Sequence, residues 1–426
     1  MRERKPEGVT LDVSSTQQFK TIGIKVDFVA PLTVDAITAR ALLDQVLETS
    51  TAAYPTQTAL SRELSRLYGA SFGISVLKLG TKHVIRLTCS VVNEKYLQNF
   101  TDQRPLFEQA MALLKAVIFA PLMPAGQFDE TTFNQQRQNL FAAVKSLDDD
   151  KQYLANRRLQ ELVFKDEPAQ AMSALGDMAT LRQLTRSDIA ATYQNMLAND
   201  AVHVAVIGDV TEERVATALA AWPLTDRPGD ETTPYYDWAA QSEVTHADDV
   251  APVVQAKLNL AYRLPIYRND DDFLATTVFN AAFGGTPLSL LFTNVREKAS
   301  LAYYASSSYN PYAGILGVQT GIQFQNRDQV LAIVAKQLAT LQAGKLSQEL
   351  LDEVKASLLN ARLAALDSPQ RRLTGLLNTQ LTRQRLPLKE WEDQLAAITI
   401  ADVQRVAKQV QLQATYCLHG GDQDVK

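Results

Sequence analysis

At 426 residues the chain exceeds the roughly 250–300 residues at which a single hydrophobic core stops growing, so two or more domains are expected, and its 46% apolar content is ample to fill them. Forty-two basic and 47 acidic side chains leave a formal charge of −5. With no run of Lys and Arg, this excludes a general nucleic-acid footprint. The start, Met1-Arg-Glu-Arg-Lys-Pro6, has charge but no apolar run behind it, so no cleavable secretion signal is expected and the cytoplasm is the default compartment.

In chain order, Ile22, Ile24, Val26 and Phe28 alternate with Gly23, Lys25 and Asp27, which predicts a half-buried strand. Ala36, Ala39, Leu43, Val46 and Leu47 then recur at helical spacing as one apolar stripe. A second helix is expected from about Thr56 to Tyr68, stopped at Gly69. A second half-buried strand alternates through Ile85, Leu87, Cys89 and Val91. Met111 to Ala125, interrupted by Lys115, Pro121 and Pro124, is too short to span a bilayer and reads as a buried helix followed by a turn. Helical periodicity continues through Thr131 to Leu147, Tyr153 to Phe164 and Arg186 to Leu197, and the half closes on a strand around His203 to Ile207.

From Trp222 to Val250 the chain is rich in Pro, Gly, Thr and acids without a sustained period, and is expected to be a linker. After it the order restarts. Lys257 to Arg263 mirrors the first strand and Phe273 to Phe283 the first helix. Ile398-Thr-Ile-Ala-Asp402 mirrors Leu184-Thr-Arg-Ser-Asp188, and Cys417-Leu-His-Gly-Gly-Asp422 echoes Val206-Ile-Gly-Asp209. The expected boundaries are 1–221, a linker 222–250, and 251–426. The fold class is α+β: two tandem homologous domains, each an antiparallel-rich sheet with helices packed on one face. Cys89 and Cys417, in strand-like runs of opposite halves, read as buried thiols. His83, His203, His246 and His419 are scattered singly and read as structural or solvated.

Two constellations carry chemistry. On the first helix, positions 41, 44, 45 and 48 share the face opposite the apolar stripe. A metal-binding H-x-x-E-H helix needs two imidazoles there with a carboxylate between them as general base. The residues present are Ala41, Asp44 and Gln45: a methyl group ligates nothing, an amide is a poor zinc ligand, and the shortened acid has no metal-bound water to activate. Asp44 and Glu48, one turn apart, read as a solvated polar face in preference to a weak cation site. In the second half, Phe283-Gly284-Gly285-Thr286-Pro287 precedes Leu290-Leu-Phe-Thr-Asn-Val-Arg296-Glu-Lys-Ala-Ser-Leu-Ala-Tyr303. Gly284 and Gly285 permit a tight turn, and no Lys-Ser/Thr pair follows them to cradle phosphate. Tyr309, Pro311, Tyr312 and Gly314 punctuate a hairpin between Leu301–Ser307 and Ile315–Phe324. Taken by themselves, Arg296 and Tyr303 read as a helix-surface arginine in an ion pair and a half-buried tyrosine.

Together these landmarks resemble, over nearly the whole chain, the insulinase/pitrilysin zinc metallopeptidases in their short two-domain form. The resemblance implies a further glutamate ligand just ahead of an acidic turn, where Ala143 stands. It also implies a substrate-binding role for Arg296 and Tyr303 and a strand able to pair with extended peptide. It therefore implies a non-catalytic subunit that binds no cofactor itself. The partner would be a related subunit with an intact H-x-x-E-H motif, carrying zinc and cleaving unfolded peptides. The alternative is a catalytically inert structural or peptide-binding homodimer.

Overall fold

The computed structural model describes residues 6–98, 100–230 and 232–420. The first repeat contains strands β1 (Val9–Ser15), β2 (Thr21–Pro31), β3 (Ser71–Leu79), β4 (Lys82–Val92) and β5 (Ala201–Gly208), ordered β1-β5-β2-β4-β3. The second contains β6 (Thr245–Val250), β7 (Ala256–Arg263), β8 (Ala302–Asn310), β9 (Ile315–Ile322) and β10 (Gln411–His419), ordered β6-β10-β7-β9-β8. The orders match strand for strand. In each sheet the first strand pairs in parallel with the last, and the other pairings are antiparallel. The duplication expected from the sequence is thus a repeat of topology.

Helices α1 (Val34–Thr49), α2 (Gln57–Arg66), α3 (Leu106–Phe119) and α4 (Glu130–Ser146) follow in the first half, then α5 (Lys151–Val163). Thr56 caps α2 by accepting from the Ala59 amide, and Gly69 beyond it has φ +75°. The matched segments Leu184–Asp188 and Ile398–Asp402 are helix starts of the same kind. In both, a Thr at the cap and an Asp three residues on form a reciprocal capping box, Thr185 with Asp188 and Thr399 with Asp402. None of the described helices is long and apolar enough to cross a membrane.

The chain forms two compact units that are not contiguous in sequence. One contains the described residues up to 145 with 173–234 and 365–383; the other contains 146–172, 235–364 and those from 384 on. Helix α5, from the first half, therefore belongs with the second sheet, and the helix Pro369–Thr382, from the second half, belongs with the first. In each unit the remaining large helices gather on one face of the sheet, and this exchanged helix covers the other.

The exchange corrects the expectation of half-buried strands. On β2, Ile22, Ile24, Val26 and Phe28 enter the main core, and the alternate residues Gly23, Lys25, Asp27 and Val29 are buried too, because the helix Pro369–Thr382 lies over them. Leu373 and Leu377 pack on Ala205 and Ile207, and Leu381 packs with Val29, Val84 and Ala201. Gly23 lies close under this helix: a Cβ there would sit 2.9 Å from Leu373 Cδ1, a side-chain end that would have to shift. On the second sheet, Ala155, Leu159 and Val163 of α5 pack on Ala261, Ala414, Tyr416 and Leu418.

The stretch 222–250 connects the repeats but is not free chain. Trp222 is buried against Phe119, the Thr81 amide donates to Pro234 O (3.1 Å), and Lys82 pairs with Asp230 and Thr232. Further on, the Tyr236 amide donates to Tyr312 O (2.7 Å) and Trp238 Nε1 to Ala313 O (2.7 Å). Its last six residues are β6, an edge strand the composition did not suggest. The closing echo at Gly421-Asp422, like the charged start Met1–Lys5, lies outside the described residues.

Candidate functional site

The helix α1 is buried almost all round. Beyond the apolar stripe, Ala41, Leu42 and Asp44 are also inside, and Gln45 and Glu48 are half-buried. The expected solvated face at Asp44 and Glu48 is therefore corrected, because α1 is flanked by β3 and by the helix Arg186–Asn199. Asp44 is 2% exposed; one carboxylate oxygen accepts from Gln45 Nε2 at 3.3 Å and the other has no hydrogen-bond partner. Burial, then the neighbouring Glu48 carboxylate, pushes the Asp44 carboxyl up to about 7. Burial also raises Glu48, against the opposing effect of a hydrogen bond from the Ile74 backbone of β3.

These residues do not fit zinc. The methyl groups of Ala41 and Ala143 have no lone pair to offer, with Ala143 exposed near the end of α4, and an amide at Gln45 is a weak ligand for a metal that takes imidazole, thiolate or carboxylate. Among the described residues, no group of three or more His, Cys, Asp or Glu side chains is placed to hold a metal ion.

The polar residues around the N-terminal part of α1 form a closed structural knot that the sequence pattern did not reveal. Arg40, buried, makes an ion pair with Asp200 at 2.7 Å and donates to Phe28 O (3.1 Å), His83 O (3.3 Å) and His83 Nδ1 (3.1 Å). His83 then donates from Nε2 to Ala174 O at 3.1 Å. Burial, with the Arg40 charge beside it, lowers His83 to about 4, so the ring stays neutral. The other histidines are spoken for: His203 Nδ1 lies 2.7 Å from Thr10 Oγ1, His246 Nδ1 lies 2.7 Å from Thr415 Oγ1, and His419 stacks on Phe324. Cys89 and Cys417 are buried free thiols pushed up to about 12 and 11 by desolvation, too high for nucleophiles.

The second unit places its signature residues differently. After the helix Phe273–Asn280 the chain widens into a π-helical turn, Ala281–Gly285, against β8. Gly284 is required there: a Cβ would meet the Ser307 amide nitrogen at 2.6 Å and Leu291 Cδ1 at 2.8 Å. A Cβ at Gly285 would meet Asn280 at 2.7 Å. A second π-helical turn, Phe292–Lys298, carries Arg296. It is closed by a hydrogen bond from the Leu301 amide to Val295 O (3.1 Å), with Ser300 left-handed at φ 54°. Immediately afterwards β8 bulges: Ala302 pairs with Ile322 and Tyr304 with Gly321, so Tyr303 is the extra residue.

Tyr303 is accordingly turned outward, 69% exposed, and Arg296 is exposed with its guanidinium 4.8 Å from the centre of the Phe292 ring. Among the described residues Arg296 forms no ion pair, and Tyr303 is not half-buried, so the local structural alternative is not what the unit contains. Tyr304, next in the chain, points the other way and bonds Gln152 of α5. Phe292 and Ser300 were not singled out by the sequence pattern. The only signal available was an aromatic residue four positions before Arg296.

Residues 183–358 match the family model described as the Peptidase M16 inactive domain. The chain is 33% identical over 422 residues to a probable inactive metalloprotease of Bacillus subtilis (strain 168), covering 97% of this chain and 96% of the relative. A conserved protein of Enterococcus faecalis V583 has a similar solved structure, with a TM-score of 0.92, 38% identity and 98% coverage of both chains. A peptidase M16 inactive domain from Pseudomonas fluorescens shares the fold, with a TM-score of 0.78 at 18% identity over 97% of this chain and 96% of that one.

Proposed function

The chain belongs to the M16, or insulinase/pitrilysin, family as one of its inactive metalloprotease members, and from that premise we propose that it is the non-catalytic subunit of a two-subunit zinc-dependent peptidase. The carrying observation is the contrast within the chain: the metal positions hold Ala41, Gln45 and Ala143, while Arg296 and Tyr303 stand exposed as unpaired donors on a braced turn. In this reading the partner is a related chain with an intact H-x-x-E-H motif, and zinc resides there. Arg296 and Tyr303 bind the backbone carbonyl of an unfolded peptide and stabilise the oxyanion that develops during cleavage. A guanidinium and a phenol both carry hydrogen-bond donors suited to a carbonyl oxygen. The pair of subunits works in the cytoplasm.

The test is metal content and peptide cleavage by the purified chain, alone and mixed with a co-encoded relative that carries the zinc motif. Cleavage only in the mixture, with zinc only on the relative, is expected. Arg296→Ala should then lower kcat by roughly 10²–10³-fold, the usual cost of one oxyanion donor. A mixture that cleaves equally well with Arg296→Ala and Tyr303→Phe overturns the proposal. Self-association without any effect on the zinc-bearing relative identifies an inert peptide-binding homodimer instead.

A further inference from the structure

The turn before β8 combines three features: the aromatic ring under Arg296, the left-handed Ser300, and the bulge at Tyr303. A long arginine side chain on an exposed helix ordinarily samples many rotamers and loses that freedom when it binds. Here the wider π-helical turn places residue 292 beneath residue 296, with the guanidinium carbon 4.8 Å from the ring centre, and a cation–π contact of this kind consumes none of the guanidinium's hydrogen-bond donors. A carboxylate partner would have occupied them. Ser300 performs the matching service for the phenol. Its left-handed backbone ends the turn and leads into the extra residue of the bulge, which puts Tyr303 outside the sheet's regular alternation.

We propose that Phe292 and Ser300 are positioning residues that pre-organise Arg296 and Tyr303 for a peptide carbonyl: Phe292 orients the guanidinium and Ser300 sets the direction of the phenol. This rests on the peptide-binding reading of Arg296 and Tyr303. Neither positioning residue touches the peptide. Phe292 acts through Arg296 only, so removing it matters only while Arg296 is present.

The experiment is fluorescence-anisotropy binding of a labelled unstructured peptide to the full chain, with a double-mutant cycle. Phe292→Ala should weaken binding about two- to five-fold, the range expected from an exposed cation–π contact, Phe292→Tyr should restore it, and Phe292→Ala should cost nothing further when Arg296→Ala is already present. Ser300→Gly, which takes the left-handed conformation freely, should bind as wild type. Ser300→Val, which resists it, should fall to the level of Tyr303→Phe. The same loss from Phe292→Ala in both backgrounds, or none in either while Arg296→Ala still weakens binding, overturns the inference and leaves the peptide-binding reading standing. No loss from Arg296→Ala and Tyr303→Phe overturns that reading itself, and the inference with it. Circular dichroism of each variant separates misfolding from misaiming.

Discussion

The two repeats have the same strand order and opposite ways of treating their polar residues. In the first, the charged groups are inside: Arg40 with Asp200 and His83, Asp27 with Arg86 at 2.6 Å, and Asp44 with an oxygen that bonds nothing. In the second, Arg296 and Tyr303 face solvent. What a polar residue can do depends on this placement more than on its position in a motif. A buried pair can brace a core but cannot reach a peptide; an exposed donor contributes little to stability and is free to bind.

The contrast is most open to attack at Arg40. Replacing it with Ala leaves Asp200 buried without its ion-pair partner and strips donors from Phe28 O and His83 O. A loss of roughly 3–5 kcal/mol is expected, the cost of breaking one side of a buried ion pair, read as a shift in the midpoint of urea unfolding. A loss under about 1 kcal/mol would mean that the knot is not a brace.

Asp44→Asn should act in the opposite direction, and only above mildly acidic pH. In the folded chain the Asp44 carboxyl holds its proton up to about 7, whereas the unfolded chain releases it in the ordinary carboxylate range. Between those limits the folded state binds more protons, so this contribution to stability is present in acid and is lost as pH rises toward 7. The full effect is on the order of 4 kcal/mol. His83, lowered to about 4, works the other way, since its unfolded form takes up a proton that the folded ring refuses, and stability from it rises with pH. The two partly cancel in the wild-type chain. The difference between Asp44→Asn and wild type removes His83 from the comparison, and should grow in favour of the variant from pH 5 to pH 8. A difference that does not vary with pH would show that Asp44 is ionised and solvated after all.

Gly284→Ala tests the second repeat where it is packed rather than exposed. The added methyl meets the Ser307 amide nitrogen of β8, an atom that cannot swing aside. About 1–3 kcal/mol of destabilisation is expected from such overpacking. An unchanged urea midpoint would mean that the turn and β8 can part at no cost.

Much of this was legible beforehand because periodicity and capping are local. Thr185 and Thr399, each with an Asp three residues later, mark matching helix starts in both repeats, and the alternation through Ile22 to Phe28 marks β2. What was not legible depends on partners far away in sequence. Leu373, Leu377 and Leu381 show that their helix needs an apolar surface, but not that Ala205, Ile207 and Val84 of the other half supply it. For the same reason Lys25 and Asp27 read as solvent-facing although a helix covers them, and Lys25 donates to Thr374 Oγ1 at 2.7 Å. Strands β1, β3 and β6 were missed because edge strands, covered less completely, need no strong apolar alternation. At the candidate site, Arg296 and Tyr303 were singled out by the resemblance of their segment to the family signature, whereas the π-helical turn and the bulge that turn them outward leave no periodic trace.

The smallest expected effect is on the stability of Arg296→Ala and Tyr303→Phe. Both side chains are exposed; Arg296 contacts the Phe292 ring, a contact of about 0.5–1 kcal/mol at such a site, and the Tyr303 hydroxyl makes no hydrogen bond among the described residues. Each variant should therefore unfold within about 1 kcal/mol of wild type. Only with that near-silence in stability can a fall in peptide binding be assigned to lost donors rather than to a damaged sheet. If either variant instead unfolds several kcal/mol more easily, the residue is part of the second unit's framework, and the division between a braced first repeat and a presenting second repeat does not hold.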